Sequence, residues 1–329
     1  MLNPELKLNS KIFEEPERKS IRDGYGDALL ELGEKNPNVV VLTADLAEST
    51  RTHKFAEKWP ERFIECGVAE QNMAGIAAGL GISNKIAFIS SFATFSPGKN
   101  WETIRTAIIY NNSNVKIAGH HAGISTGPDG VTHQATEDIA IMRCLPNIRI
   151  ISPCDYFEAK KATLYSTTIY GPFYLRFVRE KTPIITTEET PFRFGKIECF
   201  WKPKTESAEI AIMATGHLVY QALLAAKELE EQGIDVYVFN VHTIKPLDEE
   251  KILEVANKVK GIVTVEDHQI HGGMGSAVAE FLAKTKPIKM NFIGLQNTFG
   301  ESGSMEDLIK KYGLDKEAIK EAVKNLILP

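Results

Sequence analysis

The chain has no long apolar run, no paired cysteines and no excess of basic charge, and each absence removes a class of function. No stretch of about 18 apolar residues occurs, so no membrane-spanning helix and no membrane partner are expected. The 4 cysteines are Cys66, Cys144, Cys154 and Cys199, and none falls in a Cys-x-x-Cys pair. That spacing gives no support to structural zinc or to thioredoxin-like redox chemistry. Reduced, mostly buried thiols of a cytosolic protein are expected instead. Lys and Arg number 38 against 43 Asp and Glu, for a net charge of −5. Nucleic-acid binding wants a clustered cationic excess, so no nucleic-acid partner is expected. The opening MLNPELKLNSKIFEEPERKS is charged and has no apolar h-region, so it does not read as a signal peptide, and a cytoplasmic location is expected. There is also no short-period repeat, no GxGxxG, no P-loop and no nucleophile elbow.

What is present is a rhythm. The 329 residues are 43% hydrophobic and 25% charged, ordinary globular usage, and suffice for two domains. Short β-branched runs at 38–42, 85–89, 115–118, 148–151 and 173–175 alternate with helical patterns at 24–34, 71–80, 101–110 and 156–169. Continuous apolar strands between helices indicate βαβ units and a parallel sheet covered on both faces. Pro183, Pro191 and Pro203 interrupt the rhythm, and it then restarts. Strands are expected at 209–214, 235–240, 261–265 and 288–293, and helices at 217–232, 248–259, 274–284, 305–312 and 316–328. The expected architecture is α/β with two domains, each a mostly parallel sheet flanked by helices. The boundaries are 1–187 with an N-terminal arm, a linker at 188–207, and 208–329.

In open parallel sheets, ligands sit beyond the carboxyl ends of the strands, so the loops there carry the chemistry. Five stand out. Cys66-Gly67-Val68-Ala69-Glu70-Gln71-Asn72-Met73 opens a Gly- and Ala-rich helix. Glu70 there is either an acid favoured by the helix dipole or a desolvated acid that exchanges a proton. Ser90-Ser91-Phe92-Ala93-Thr94-Phe95 ends a strand, and its two rings either fill the core or stack on a flat heterocycle. The loop 119–134 holds His120, His121, Asp129 and His133 among glycines that let a ligand approach the backbone. Its histidines are conceivable metal ligands, but the Cys and Glu partners of a zinc site are missing. Leu175-Arg176-Phe177-Val178-Arg179 places arginines where a phosphate or carboxylate would lie. Glu266-Asp267-His268-Gln269 with the following glycines reads as a packing or interface loop.

Taken in order, GVAEQNM around Glu70, SFATF around Phe92 and DGVTHQ around His133 resemble transketolases, over nearly the whole chain from Ser20 onward. The resemblance implies a thiamine-diphosphate pyrimidine-binding domain followed by a transketolase C-terminal domain. It implies that Glu70 hydrogen-bonds the aminopyrimidine and that Phe92 and Phe95 pack on it. It implies that His133 lies near the reacting end of a sugar, that Asp129 reads its hydroxyls, and that His121 lies towards its phosphate with Arg22, Ser49 and Arg179. Arg176 is the alternative to Arg179. The GDG motif and Asn-containing segment that hold the diphosphate and metal in full-length relatives do not occur here. A separate N-terminal subunit is therefore expected to supply them, with Mg2+ or Ca2+, in an α2β2 assembly, and no metal ligands are assigned to this chain. The implied reaction moves a two-carbon ketol unit from a ketose phosphate to an aldose phosphate, as in the pentose phosphate pathway. The β-subunit of a 2-oxo acid dehydrogenase shares the two-domain plan, and a 1-deoxy-xylulose-5-phosphate synthase half shares the DG-x-THQ loop. Arg22, Ser49, Asp129 and the THQ around His133 fit a phosphosugar better than the dehydrogenase, and the synthase half stays open as an alternative.

Overall fold

In the computed structural model, which describes residues 1–205 and 207–327, two large sheets lie between layers of helices, and a small antiparallel pair joins Arg18–Ser20 to Lys181–Pro183. Glu206, inside the expected linker, and Leu328, at the end of the expected last helix, lie outside the described residues. The first sheet has seven strands in the order Thr243–Lys245, Arg149–Ile151, Phe173–Arg176, Val115–His120, Ile86–Phe92, Val39–Thr43 and Phe63–Glu65. All pair in parallel except Thr243–Lys245, which runs antiparallel to Arg149–Ile151. The Val39–Thr43 strand is buried along its whole length, as a strand covered on both faces must be. The second sheet has five strands in the order Lys289–Leu295, Gly261–Gln269, Ile210–Ala214, Val236–Asn240 and Glu198–Trp201, and only the last is antiparallel. The expected fold class is borne out, with most elements within a few residues of the sequence reading.

Three features depart from that reading. Glu198–Trp201 falls in the stretch expected as linker but forms an edge strand, because Phe200 and Trp201 bury against the second sheet's core. Thr243–Lys245 follows a strand of the second sheet yet completes the first, so Ile244 joins a core that contains Ile150, Val241 and Ile252 together. The N-terminal arm, grouped with the first domain in the sequence reading, packs on the second. Leu6 and Ile12 bury beside Phe200, Trp201 and Leu218, and the Asn3 amide donates to the Phe200 carbonyl at 2.9 Å. The thiols are also less uniformly buried than expected, since Cys144 is exposed. Among the described residues no helix is long and apolar enough to cross a membrane.

Parallel pairing sets the location of the site. The strands ending at Arg176, His120, Phe92 and Thr43 are neighbours in the first sheet and all end on the same edge. The loops that follow them therefore converge above that edge.

Candidate active site

Four rings come together above the strand ends. Phe92 closes its strand, and the helical turn Thr94–Lys99 returns Phe95 to it, with ring centroids 5.9 Å apart and planes 22° apart. His121 follows the neighbouring strand and stacks on Phe92 at 3.8 Å. Its φ of +55° lies in the left-handed region, where a non-glycine residue is uncommon and turns the chain sharply. The turn Val131–His133 sets the His133 ring edge-on to both phenylalanines, at 5.9 and 5.5 Å. Thr132 Oγ1 and His133 Nδ1 are hydrogen-bonded at 2.9 Å. Around these rings, Ser91 Oγ, Thr94 Oγ1 and His121 Nδ1 are buried with no hydrogen-bond partner among the described residues. Buried polar atoms are nearly always satisfied, so unpartnered ones beside an aromatic cluster suit a polar heterocycle.

Glu70 occupies the first position of the Glu70–Ile82 helix, where the dipole favours negative charge. Its side chain is only 2% exposed, as a desolvated acid would be, yet it has a cationic partner. Lys99 Nζ, on a side chain 47% exposed, donates to Glu70 Oε2 at 2.8 Å. Asn100 Nδ2 donates to the Glu70 carbonyl at 3.0 Å, so the same turn that carries Phe95 holds the start of the acid's helix. Lys99 and Asn100 escaped the sequence reading because they lie 29 and 30 residues from Glu70 and belong to no motif.

The arginines form a second cluster. Arg22 Nη1 donates to the Ser49 carbonyl at 2.6 Å and Nη2 to the Arg179 carbonyl at 2.8 Å, joining the two loops. Arg179 Nη1 donates to the Thr126 carbonyl at 2.9 Å and lies 3.7 Å from Asp129 Oδ1. Arg51 pairs with Asp23 at 2.6 Å, but among the described residues Arg22 has no ion-pair partner. Burial and the nearby Arg51 push its guanidinium down to about 10. Burial, with Arg22 and Arg179 next, pushes His121 down to about 2, so the imidazole is neutral at any working pH. Arg179 also lies 3.5 Å from Glu180, so Arg22 is the cation of this cluster left without an ion-pair partner among the described residues, and an unpaired, largely buried cation favours an anion.

The remaining candidates separate. Arg176 is buried and bonds Asp138 through Nε at 2.8 Å and Nη2 at 3.1 Å, and Nη2 also donates to the Asp267 carbonyl. Burial opposes the Asp138 charge, and Arg176 outweighs it, holding the carboxyl below its ordinary value. With Nε and Nη2 engaged, Arg176 is tied into a buried pair, and Arg179 lies with Arg22 in the other cluster. His120 is fully buried between Tyr25 and Phe177, with ring centroids 5.1 Å from each, and burial keeps it neutral. Among the described residues no group of three or more His, Cys, Asp or Glu is placed to hold a metal.

The second domain contributes to these loops. The Asp267 carboxylate accepts from the Ile124 amide at 2.9 Å and the Ser125 amide at 3.4 Å. Gln134 Nε2 donates to the Glu301 carbonyl at 3.0 Å, and the Gln269 amide donates to the Thr136 carbonyl at 2.7 Å. No periodicity or motif in the sequence marks these contacts.

Comparison with known proteins places this arrangement. Residues 17–184 match the family model "Transketolase, pyrimidine binding domain", and residues 201–319 match "Transketolase, C-terminal domain". The putative transketolase C-terminal section of Methanocaldococcus jannaschii is 46% identical over 309 residues, covering 93% of this chain and 95% of that protein. Human transketolase is 34% identical over 98% of this chain, which spans only 50% of the human protein. Among solved structures, a split gene transketolase described as an inactive β4 tetramer superposes with a TM-score of 0.86. It is 41% identical, and the match covers 94% of this chain and 98% of that one.

Proposed function

Since this chain belongs to the transketolase family, we propose that it is the C-terminal subunit of a split transketolase. It works with an N-terminal subunit to move a two-carbon ketol unit from a ketose phosphate to an aldose phosphate. The observation that carries the reading is the cluster of Phe92, Phe95, His121 and His133, with Glu70 tied to the same turn and an underpaired Arg22 nearby. Near full-length similarity to a C-terminal section and to a split-gene chain supports the division between subunits.

Thiamine diphosphate fits the residues present: flat rings to pack on, unpartnered buried polar atoms, and a buried carboxyl at a helix start. When bound, it supplies a nucleophilic carbon and an electron sink for breaking a carbon–carbon bond beside a carbonyl. Glu70 holds the proton shared with the pyrimidine ring, and Phe92 and Phe95 orient that ring. His133 exchanges protons with the sugar oxygens at the reacting end. His121, kept neutral, hydrogen-bonds without adding charge. Asp129 reads a sugar hydroxyl. Arg179 and Arg22 favour the phosphate, and the Ser49 loop, fixed by Arg22, completes that end. The diphosphate and its Mg2+ or Ca2+ are assigned mainly to the partner subunit, in an α2β2 assembly in the cytoplasm.

The test is a ketol-transfer assay with a ketose phosphate, an aldose phosphate, thiamine diphosphate and Mg2+, on this chain alone and with an N-terminal section. Turnover only with both is the expected outcome. Turnover of a 2-oxo acid by the pair, with none of the ketose phosphate, would overturn the reading in favour of a dehydrogenase β-subunit or a deoxyxylulose-phosphate synthase half.

A further inference from the structure

The loop 121–134 carries three proposed substrate residues, yet one of its sharpest turns is held from the other domain. The Ile124 and Ser125 amides are adjacent, buried and aimed at one point. Successive backbone amides of this kind form a concavity that favours an anion. The anion is Asp267, at the end of the Gly261–Gln269 strand of the second sheet, with a side chain 1% exposed.

Neighbouring contacts fix its position. Its own carbonyl accepts from Arg176 Nη2 at 2.8 Å, which ties it to the buried Arg176–Asp138 pair. Gly123 has a φ of +77°, and a Cβ there would stand 2.2 Å from Asp267 Oδ2, so the turn and the carboxylate meet only because residue 123 is glycine. The buried His217 Nε2 lies 3.7 Å from the same oxygen, beyond hydrogen-bond distance. The fixed turn lies just after His121, whose carbonyl accepts from Thr126 Oγ1 at 2.6 Å, and just before Asp129.

Resting on the reading above, we propose that Asp267 is a positioning residue of the substrate site. It sets the turn 123–125 and thereby the spacing between His121 and Asp129, while touching neither substrate nor cofactor. The second domain thus takes part in sugar-phosphate recognition through one carboxylate.

The test compares the full chain with Asp267→Asn, in which one accepting oxygen becomes a donor facing an N–H. With the N-terminal partner, the KM for a ketose phosphate should rise about tenfold or more while kcat changes by less than about threefold. Affinity for thiamine diphosphate should stay within about twofold, because Glu70, Phe92 and Phe95 do not touch the turn. In the chain alone, peptides covering 121–130 should exchange amide hydrogens faster, while peptides of the Val39–Thr43 strand should not. Gly123→Ala should share the phenotype, since it breaks the same tether from the loop side. Equal losses in KM, kcat, cofactor affinity and melting temperature would reduce Asp267 to a folding residue and overturn the proposal. Unchanged exchange with unchanged KM would overturn it too. A wild-type pair that transfers no ketol units defeats the functional reading, and the exchange experiment still decides whether the tether exists.

Discussion

Replacing Glu70 by Gln separates the chemistry of this site from its stability. Glutamine keeps the shape, the position at the helix start and one hydrogen-bonding oxygen, and removes the exchangeable acid proton. A positioned proton-transfer group is worth about 10²–10⁴ in rate, or roughly 3–5 kcal/mol at about 1.4 kcal/mol per tenfold. The structural loss is smaller. Among the described residues, the only side-chain partner of the carboxylate is Lys99, which is 47% exposed and can turn to water. Ion pairs with an exposed partner contribute about 0–1 kcal/mol, and discounting for solvent puts this one at the lower end. The helix start loses some favourable dipole interaction as well, about 0.3–1 kcal/mol. For a chain of this size the melting temperature should fall by no more than about 2–4 °C per kcal/mol lost. The assay pairs steady-state ketol transfer, with the N-terminal partner present, with thermal unfolding of the chain alone. The expected result is a kcat lower by at least about a hundredfold with a nearly unchanged melt. Turnover within about threefold of wild type would refute the assignment of proton exchange to Glu70. A collapse of the melt would show that its buried carboxyl is needed for folding instead.

Four further outcomes follow from particular contacts. In the Glu70–Ile82 helix, a Cβ on Gly81 would meet Ser113 Oγ at 2.3 Å, while Gly75 and Gly79 have nothing within 4 Å. Gly81→Ala should therefore destabilise by about 1–3 kcal/mol. Gly75→Ala should stabilise the free chain by about 0.5–1 kcal/mol in melts, while weakening assembly in mass measurements if that face is covered in the oligomer; unchanged assembly would remove this face from the interface. Burial and the adjacent Asp155 raise Glu158 from 4.5 to about 7. A raised carboxyl binds its proton more tightly when folded, so its stabilising contribution is full below about pH 4.5 and is lost as pH rises through about 7. Wild type should lose roughly 3 kcal/mol across that window, at about 1.4 kcal/mol per unit, and Glu158→Gln should flatten the profile. Equal slopes in pH-dependent melts would refute the assignment. Finally, Asp138→Asn leaves Arg176 buried without its counter-charge and should cost about 3–5 kcal/mol in denaturant unfolding. A loss below about 1 kcal/mol would mean that Arg176 finds another partner.

How far the sequence reveals this molecule depends on how local each cause is. Val39 to Thr43 form a strand because five consecutive residues suit a sheet buried on both faces, and that cause lies within the segment. The ring cluster was legible in part, since Phe92 closes one strand, His121 directly follows its neighbour, and parallel pairing brings strand ends together. Lys99 was not, because its meeting with Glu70 depends on the Thr94–Lys99 turn folding back across 29 residues. Thr243–Lys245 was not either: three residues carry no periodicity, and their partner strand Arg149–Ile151 lies some ninety residues earlier, before the proline-rich stretch. These distant contacts also bear on how the chain is divided. Proline punctuation suggests two units joined by a linker, yet one strand of the first sheet arrives from beyond that linker, and the N-terminal arm buries Leu6 and Ile12 in the second unit's core. A strand given one way and an arm packed the other fix the relative position of the two sheets more firmly than a flexible connection would. Asp267 can reach the Ile124 and Ser125 amides only while that position holds, so the crossing strand and the arm belong to the same physical argument as the substrate loop.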